Sequence, residues 1–104
     1  MDNKINSILI HNNDNVVTTT KVLCAGEVAR YQKEDEVFEI VATEEIPKFH
    51  KIAVIDIHQA EPVYKYGQLI GVATRDISKG NHVHDHNIES PKTQTRPEGY
   101  PNEI

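Results

Sequence analysis

Cys24 is the only cysteine in this 104-residue chain, so neither an internal disulfide nor a thiolate metal cage can be built from it. Tryptophan is absent and phenylalanine occurs twice, which leaves too little apolar bulk for a deep, self-contained pocket. A pocket, if one forms, needs a second surface. Basic residues are in deficit: 11 Lys and Arg against 16 Asp and Glu give a formal charge of −5, the wrong sign for tracking phosphates, and nucleic acid is excluded as a partner on that ground. Long apolar runs are missing as well. Near the start, Ile8 to Ile10 is a run of three, too short for a signal-peptide core or a membrane span. A cytoplasmic protein with no membrane partner is expected, and a lone thiol suits a reducing compartment. A chain this short makes one domain, burying about 60 to 70% of its unfolded surface.

What is present favours a mostly β domain. Short β-leaning runs at Ile8 to His11, Val16 to Thr20, Val37 to Ala42, Ile52 to Ile57 and Val63 to Tyr66 alternate with turn signals. Asn12 to Asn15 is a turn cluster between the first two. At most one short helix is expected, over Cys24 to Gln32, where Ala25, Val28 and Ala29 fall at helical spacing, although Gly26 opposes it. The acidic run Glu34-Asp35-Glu36 reads as a solvated loop.

A loose internal repeat runs through the chain: an apolar residue, a small or turn residue three positions on, and another apolar residue after three more. It occurs as Leu23/Gly26/Ala29, Ile46/Phe49/Ile52, Ile57/Ala60/Val63 and Ile77/Gly80/Val83. Each copy reads as a strand end, a tight reversal and a new strand; chance is the competing explanation of so simple a pattern. From Ser90 onward Pro91, Pro97, Gly99 and Pro101 interrupt a polar stretch. Residues 1–89 are therefore expected to form the domain and 90–104 a flexible tail or linker, one that could order against a partner.

The sharpest local feature is His82-Val83-His84-Asp85-His86-Asn87, which holds half of the six histidines. On a strand the three imidazoles would share one face. An adjacent His-x-His pair can pinch one metal, whereas His82 and His86, about 13 Å apart on an extended strand, cannot share an ion without a bend. Neutral imidazole suits Zn, Fe, Ni or Cu and can also move protons near neutral pH; a solvated strand face is the plain alternative. In Val63-Tyr64-Lys65-Tyr66-Gly67 a lysine between two tyrosines beside glycine suits an anionic ligand such as a carboxylate, or else these side chains merely cover a sheet edge. His11, His50 and His58 read as isolated surface or turn residues, and Cys24 as a small buried hydrophobe.

Taken together, Ile46 to Ala53, Glu61 to Gly71, Ala73-Thr74, Asp76-Ile77 and Gly80 to Asn87, with Asp14-Asn15-Val16, resemble the SAF-type amino-terminal domain of the altronate and galactarate dehydratase family over roughly residues 7 to 88. The combination of the Lys-Tyr-Gly and triple-His motifs carries the resemblance. Phe49 and Pro62 depart from it, standing where the family more often has Gly and a polar or small residue. The resemblance implies a β-clip fold of folded-over hairpins. It also implies a role in metal-dependent lyases that remove water from sugar acids, with a divalent metal, iron (Fe2+) being the usual suggestion. Such domains occur fused to a large catalytic domain or as a separate small subunit, the latter also in sulfolactate sulfo-lyase, and this chain looks like the small subunit, with an N-terminal domain excised from a longer chain as the alternative.

Lys65, Tyr66, His82, His84, His86 and Asn87 match the family motif by position. Loss of water β to a carboxylate needs a base for the α proton, a stabiliser for the enediolate and an acid or metal for the leaving hydroxyl. His84 and His86 are therefore expected to ligate the metal or handle protons. Lys65 and Tyr66 would steer the substrate carboxylate, with His82 and Asn87 also at the substrate, and the large catalytic subunit would supply the remaining groups. Elimination of bisulfite from a sulfonated hydroxy acid, and a non-catalytic binding or assembly module, are the competing readings. A homo-oligomer is left open.

Overall fold

The computed structural model describes residues 4–91, so most of the expected tail lies outside the described residues. Nine strands follow in order: β1 (Ser7–Ile8), β2 (Val16–Thr19), β3 (Val28–Lys33), β4 (Glu36–Val41), β5 (Lys51–Ala53), β6 (Pro62–Lys65), β7 (Gln68–Ala73), β8 (His82–Val83) and β9 (Ile88–Glu89). They make a four-stranded sheet in the order β1-β2-β5-β8, a β3-β4 hairpin and a three-stranded sheet β6-β7-β9, with every pairing antiparallel. The mostly β expectation holds, and no helix occurs among the described residues.

The internal repeat is the unit of construction. In all four copies the first residue, Leu23, Ile46, Ile57 or Ile77, is fully buried, and so is the last, Ala29, Ile52, Val63 or Val83. The middle residue sits in the left-handed region, at φ 92° for Gly26, 69° for Phe49, 74° for Ala60 and 93° for Gly80. It is the third residue of a tight turn closed by the bonds Glu27 N to Cys24 O, His50 N to Pro47 O, Glu61 N to His58 O and Asn81 N to Ser78 O.

The copies work in reciprocal pairs. The first turn clasps Ala42, with Gly26 N donating to Ala42 O at 2.7 Å and Ala42 N to Glu27 O at 2.8 Å, while the second clasps Thr19 in the same way through Phe49 and His50. Likewise the third turn clasps Ala73 and the fourth clasps Ala53. Each clasped residue stands four positions before a repeat, is small, and is buried. Antiparallel bridges Leu23↔Ile46 and Ile57↔Ile77 complete each pair. Two apolar cores result. Val17, Leu23, Tyr31, Ile40, Ile46 and Ile52 form one, and Val16, Ile57, Val63, Ile77 and Val83 form the other.

Several expectations need correction. The segment expected as a helix at Cys24 to Gln32 is a turn followed by β3, because Gly26 at φ 92° ends any helical path and Val28 to Lys33 zips onto Glu36 to Val41. Cys24 is exposed, since it occupies a turn. Strands β7 and β9 were not expected. Glu34 and Asp35, read as a loop, are the exposed turn of the β3-β4 hairpin.

Candidate functional site: an imidazole cluster where the two halves meet

The row of three imidazoles on one strand is not what forms. β8 ends at Val83, and His84 to Asn87 make a tight turn closed by Asn87 N donating to His84 O at 3.0 Å. The Asn87 side chain holds that turn from inside: its Oδ1 accepts from His84 N at 3.0 Å and its Nδ2 donates to His82 O at 2.8 Å. Asn87 is buried at 4% exposure with both ends of its amide engaged, so in this structure it shapes the histidine turn.

A fourth histidine joins the cluster from elsewhere. β5 pairs with β8 in the register Lys51↔Val83 and Ile52↔His82, and one further step sets His50 beside His84. Their rings stack with centroids 4.0 Å apart and planes 13° apart. His50 Nδ1 lies 2.8 Å from His82 Nε2, and the His82 and His84 ring centroids are 5.6 Å apart. His50 is thus no isolated turn residue, as its sequence context suggested. It belongs to the second repeat, His82 belongs to the fourth and His84 directly follows the fourth, so the cluster sits where the two halves of the domain join. The same junction is tied by Thr43 N donating to Gly80 O at 3.0 Å and by His82 N donating to Glu44 Oε2 at 3.0 Å. His86 stays at the exposed rim, its ring centroid 5.0 Å from that of His82. The bend after Val83 brings them far closer than the extended spacing predicted.

Burial holds His82 down to about 4 from its ordinary 6.5, with the neighbouring His86, His50 and His84 adding to the effect and Glu44 opposing it. His50 is lowered too, first by desolvation, then by His84 and Lys51, with Asp85 opposing. Both rings are neutral at physiological pH, the form that ligates metal and accepts protons.

These residues fit a divalent metal. One nitrogen each of His50, His82 and His84 lies within 4.8 Å of the others, and His84 Nδ1 is buried with no hydrogen-bond partner, a lone donor atom that a bound cation would satisfy. Among the described residues the group that could hold a metal ion is His50, His82 and His84; of the expected pair it includes His84 and not His86.

Lys65 and Tyr66 are placed by the β6-β7 hairpin, whose turn residues Tyr66 and Gly67 have φ of 62° and 69°. Asp14, 6% exposed, fixes that turn. Its Oδ2 accepts from Tyr66 N at 2.9 Å and His11 N at 3.1 Å, and its Oδ1 accepts from Gly67 N at 2.8 Å. Asn15 continues the clamp, accepting from Tyr64 N at 2.8 Å and donating to Pro62 O at 3.0 Å. Lys65 Nζ lies 4.9 Å from the centroid of the Tyr66 ring.

Comparison with known families matches residues 5–91 to the altronate/galactarate dehydratase SAF domain. The chain belongs to this family. The SAF domain described here is 37% identical over 84 residues to an altronate dehydratase of Bacillus subtilis, a match that takes in 80% of the chain and 16% of that enzyme. It is 34% identical over 59 residues to a (2R)-sulfolactate sulfo-lyase subunit alpha of Chromohalobacter salexigens, covering 57% of the chain and 63% of that subunit. A second subunit alpha, from Paracoccus pantotrophus, is 34% identical over 55 residues, or 53% of the chain and 82% of the subunit. The SAF domain thus spans about a sixth of the altronate dehydratase and most of each sulfo-lyase subunit it matches.

Proposed function

We propose that this SAF domain is one component of a metal-dependent hydroxy-acid lyase, working with a large catalytic subunit or domain to remove water from a sugar acid of the altronate or galactarate type. The observation that carries the reading is the convergence of His50, His82 and His84, with a buried unpartnered nitrogen, in a family whose named members are lyases. Three imidazoles accommodate iron(II), the ion we expect, as well as zinc. A bound divalent ion would supply Lewis acidity at the substrate's oxygens.

The chain's own residues would do the rest. Lys65 and Tyr66, held by Asp14, would receive the substrate carboxylate, and His86, outside the ligand set and beside His82, would accept the α proton. The C–H electron pair then moves into the carboxylate, giving an enediolate that expels the β hydroxyl. From the exposed rim His86 would then pass that proton to water. With its modest apolar cores, the domain would leave enclosure of the substrate to its partner. The same α-proton step would serve bisulfite elimination, a second reading favoured by the matches to sulfo-lyase subunits of comparable extent.

The test is turnover after reconstitution with the large lyase chain, using altronate, galactarate and sulfolactate as substrates. Loss of turnover in His50→Ala and His84→Ala, with the complex intact, is the expected result. Full turnover in both would leave the domain an assembly module.

A further inference from the structure

Lys51 was not singled out by sequence, yet its surroundings are unusual. Thr19 N donates to His50 O and Val54 N to Asn15 O, so Thr18↔Lys51 is a non-hydrogen-bonded pair of the β2-β5 ladder, whose side chains stand close on one face. Val83, opposite Lys51 on β8, shares that face and precedes His84. The Lys51 side chain is half-buried, and no carboxylate lies within 4.0 Å of its ammonium among the described residues. The charges that reach it are Lys65, which repels it, and Asp85, which offsets this in part. Thr18 Oγ1, its cross-strand neighbour, is buried without a hydrogen-bond partner.

A half-buried ammonium repelled by a second one, with an unsatisfied hydroxyl opposite it on the neighbouring strand, is unfavourable unless something negative completes it. We propose that Lys51, Lys65 and Thr18 form an anion subsite that takes the substrate's carboxylate next to the imidazole cluster. The proposal deepens the lyase reading and rests on it for the identity of the ligand. It also gives Lys51 a chemical role. Removal of the α proton turns a singly charged carboxylate into an enediolate with negative charge on both oxygens. Two ammonium groups hold the second state more strongly than the first, and that difference lowers the barrier. Thr18 would donate a hydrogen bond from its hydroxyl to one of those oxygens.

The experiment is a titration of the metal-stripped chain with oxalate, a small dianion with closely set oxygens, followed by amide chemical shifts. Saturable shifts at Lys51, Lys65 and the residues around His84 are expected. Lys51→Met should weaken binding at least about tenfold and Thr18→Val about threefold, whereas Lys51→Arg should restore it and Lys79→Met, at an exposed lysine, should leave it unchanged. Absence of saturable shifts, or wild-type binding by a folded Lys51→Met, overturns the subsite. Metal uptake by the same variants is read separately. If oxalate fails to bind while metal still loads on the imidazoles, the lysine subsite falls and the lyase reading stands; if neither binds, both fall.

Discussion

His50 Nδ1 and His82 Nε2 face each other at 2.8 Å, so one ring donates to the other and the pair shares a single proton between two facing nitrogens. Full protonation of both rings would set two N–H groups against each other. Acid is therefore expected to disfavour the pair.

The pH prediction follows from the sign of the shift. His82 is held near 4 in the folded state against 6.5 ordinarily, so between these values the unfolded chain binds more protons. Stability is complete above about pH 6.5 and is lost as pH falls toward about 4. His50 is shifted the same way. Urea unfolding between pH 7.5 and 4.5 should show His82→Gln gaining on the wild type as pH falls. A constant difference between the two would refute the assignment.

Metal loading distinguishes the members of the cluster. His50→Ala, His82→Ala and His84→Ala should each weaken binding of zinc or iron(II) by about two orders of magnitude, while His86→Ala should change it by less than about threefold. Calorimetric titration measures this directly. Equal losses at His84 and His86 with none at His50 would return the site to the pair suggested by sequence spacing.

Much of this architecture was legible in the residues. The repeat marked the four reversals because only a buried apolar residue, a left-handed turn and a second buried residue satisfy each clasp, and that requirement leaves a mark even in a loose pattern. The helix expected at Cys24 to Gln32 failed because Ala25, Val28 and Ala29 have helical spacing only by coincidence, with Ala29 buried on a strand and Ala25 exposed in a turn. His50 was not legible from local sequence. It lies 32 positions before His82, and only the β5-β8 register joins them. The usable signal was its place just after the left-handed residue of the second repeat, close to the position of His82 in the fourth. Lys51 was hidden for the same reason.

Backbone conformation gives a paired prediction. A Cβ at Gly80, φ 93°, would collide with the carbonyl oxygen of Val41 and meet Thr43 Cγ2 at 3.1 Å, so Gly80→Ala should lose more than about 2 kcal/mol. Phe49 holds the equivalent φ of 69° with its side chain 65% exposed. Phe49→Gly removes left-handed strain and should gain about 0.5 to 1 kcal/mol. Thermal melts of both variants test the pair, and a loss on Phe49→Gly would contradict it.

Asp14 accepts three backbone N–H groups from a buried position. Asp14→Ala should destabilise the domain by about 3 kcal/mol, since it leaves those donors unpaired. Amide exchange should accelerate at Tyr66 and Gly67 first. Unchanged protection there would show that the hairpin turn stands without the carboxylate.

Thr18→Val replaces a buried, unpartnered hydroxyl with a methyl of similar shape. The free chain should become about 1 kcal/mol more stable. Chemical denaturation checks this, and a destabilised variant would mean the hydroxyl already has a partner in solution.

The reciprocal clasps have a mechanical consequence. Each turn grips the residue that leads into the other turn of its pair, like two hooks closed through one another, so neither can be drawn off while its mate stays shut. Thr43 and Glu44 then bolt one interlocked pair to the other at the histidines. Loosening any loop should therefore release the whole body at once, and a partner that grasps the imidazole seam would be holding the bolt itself.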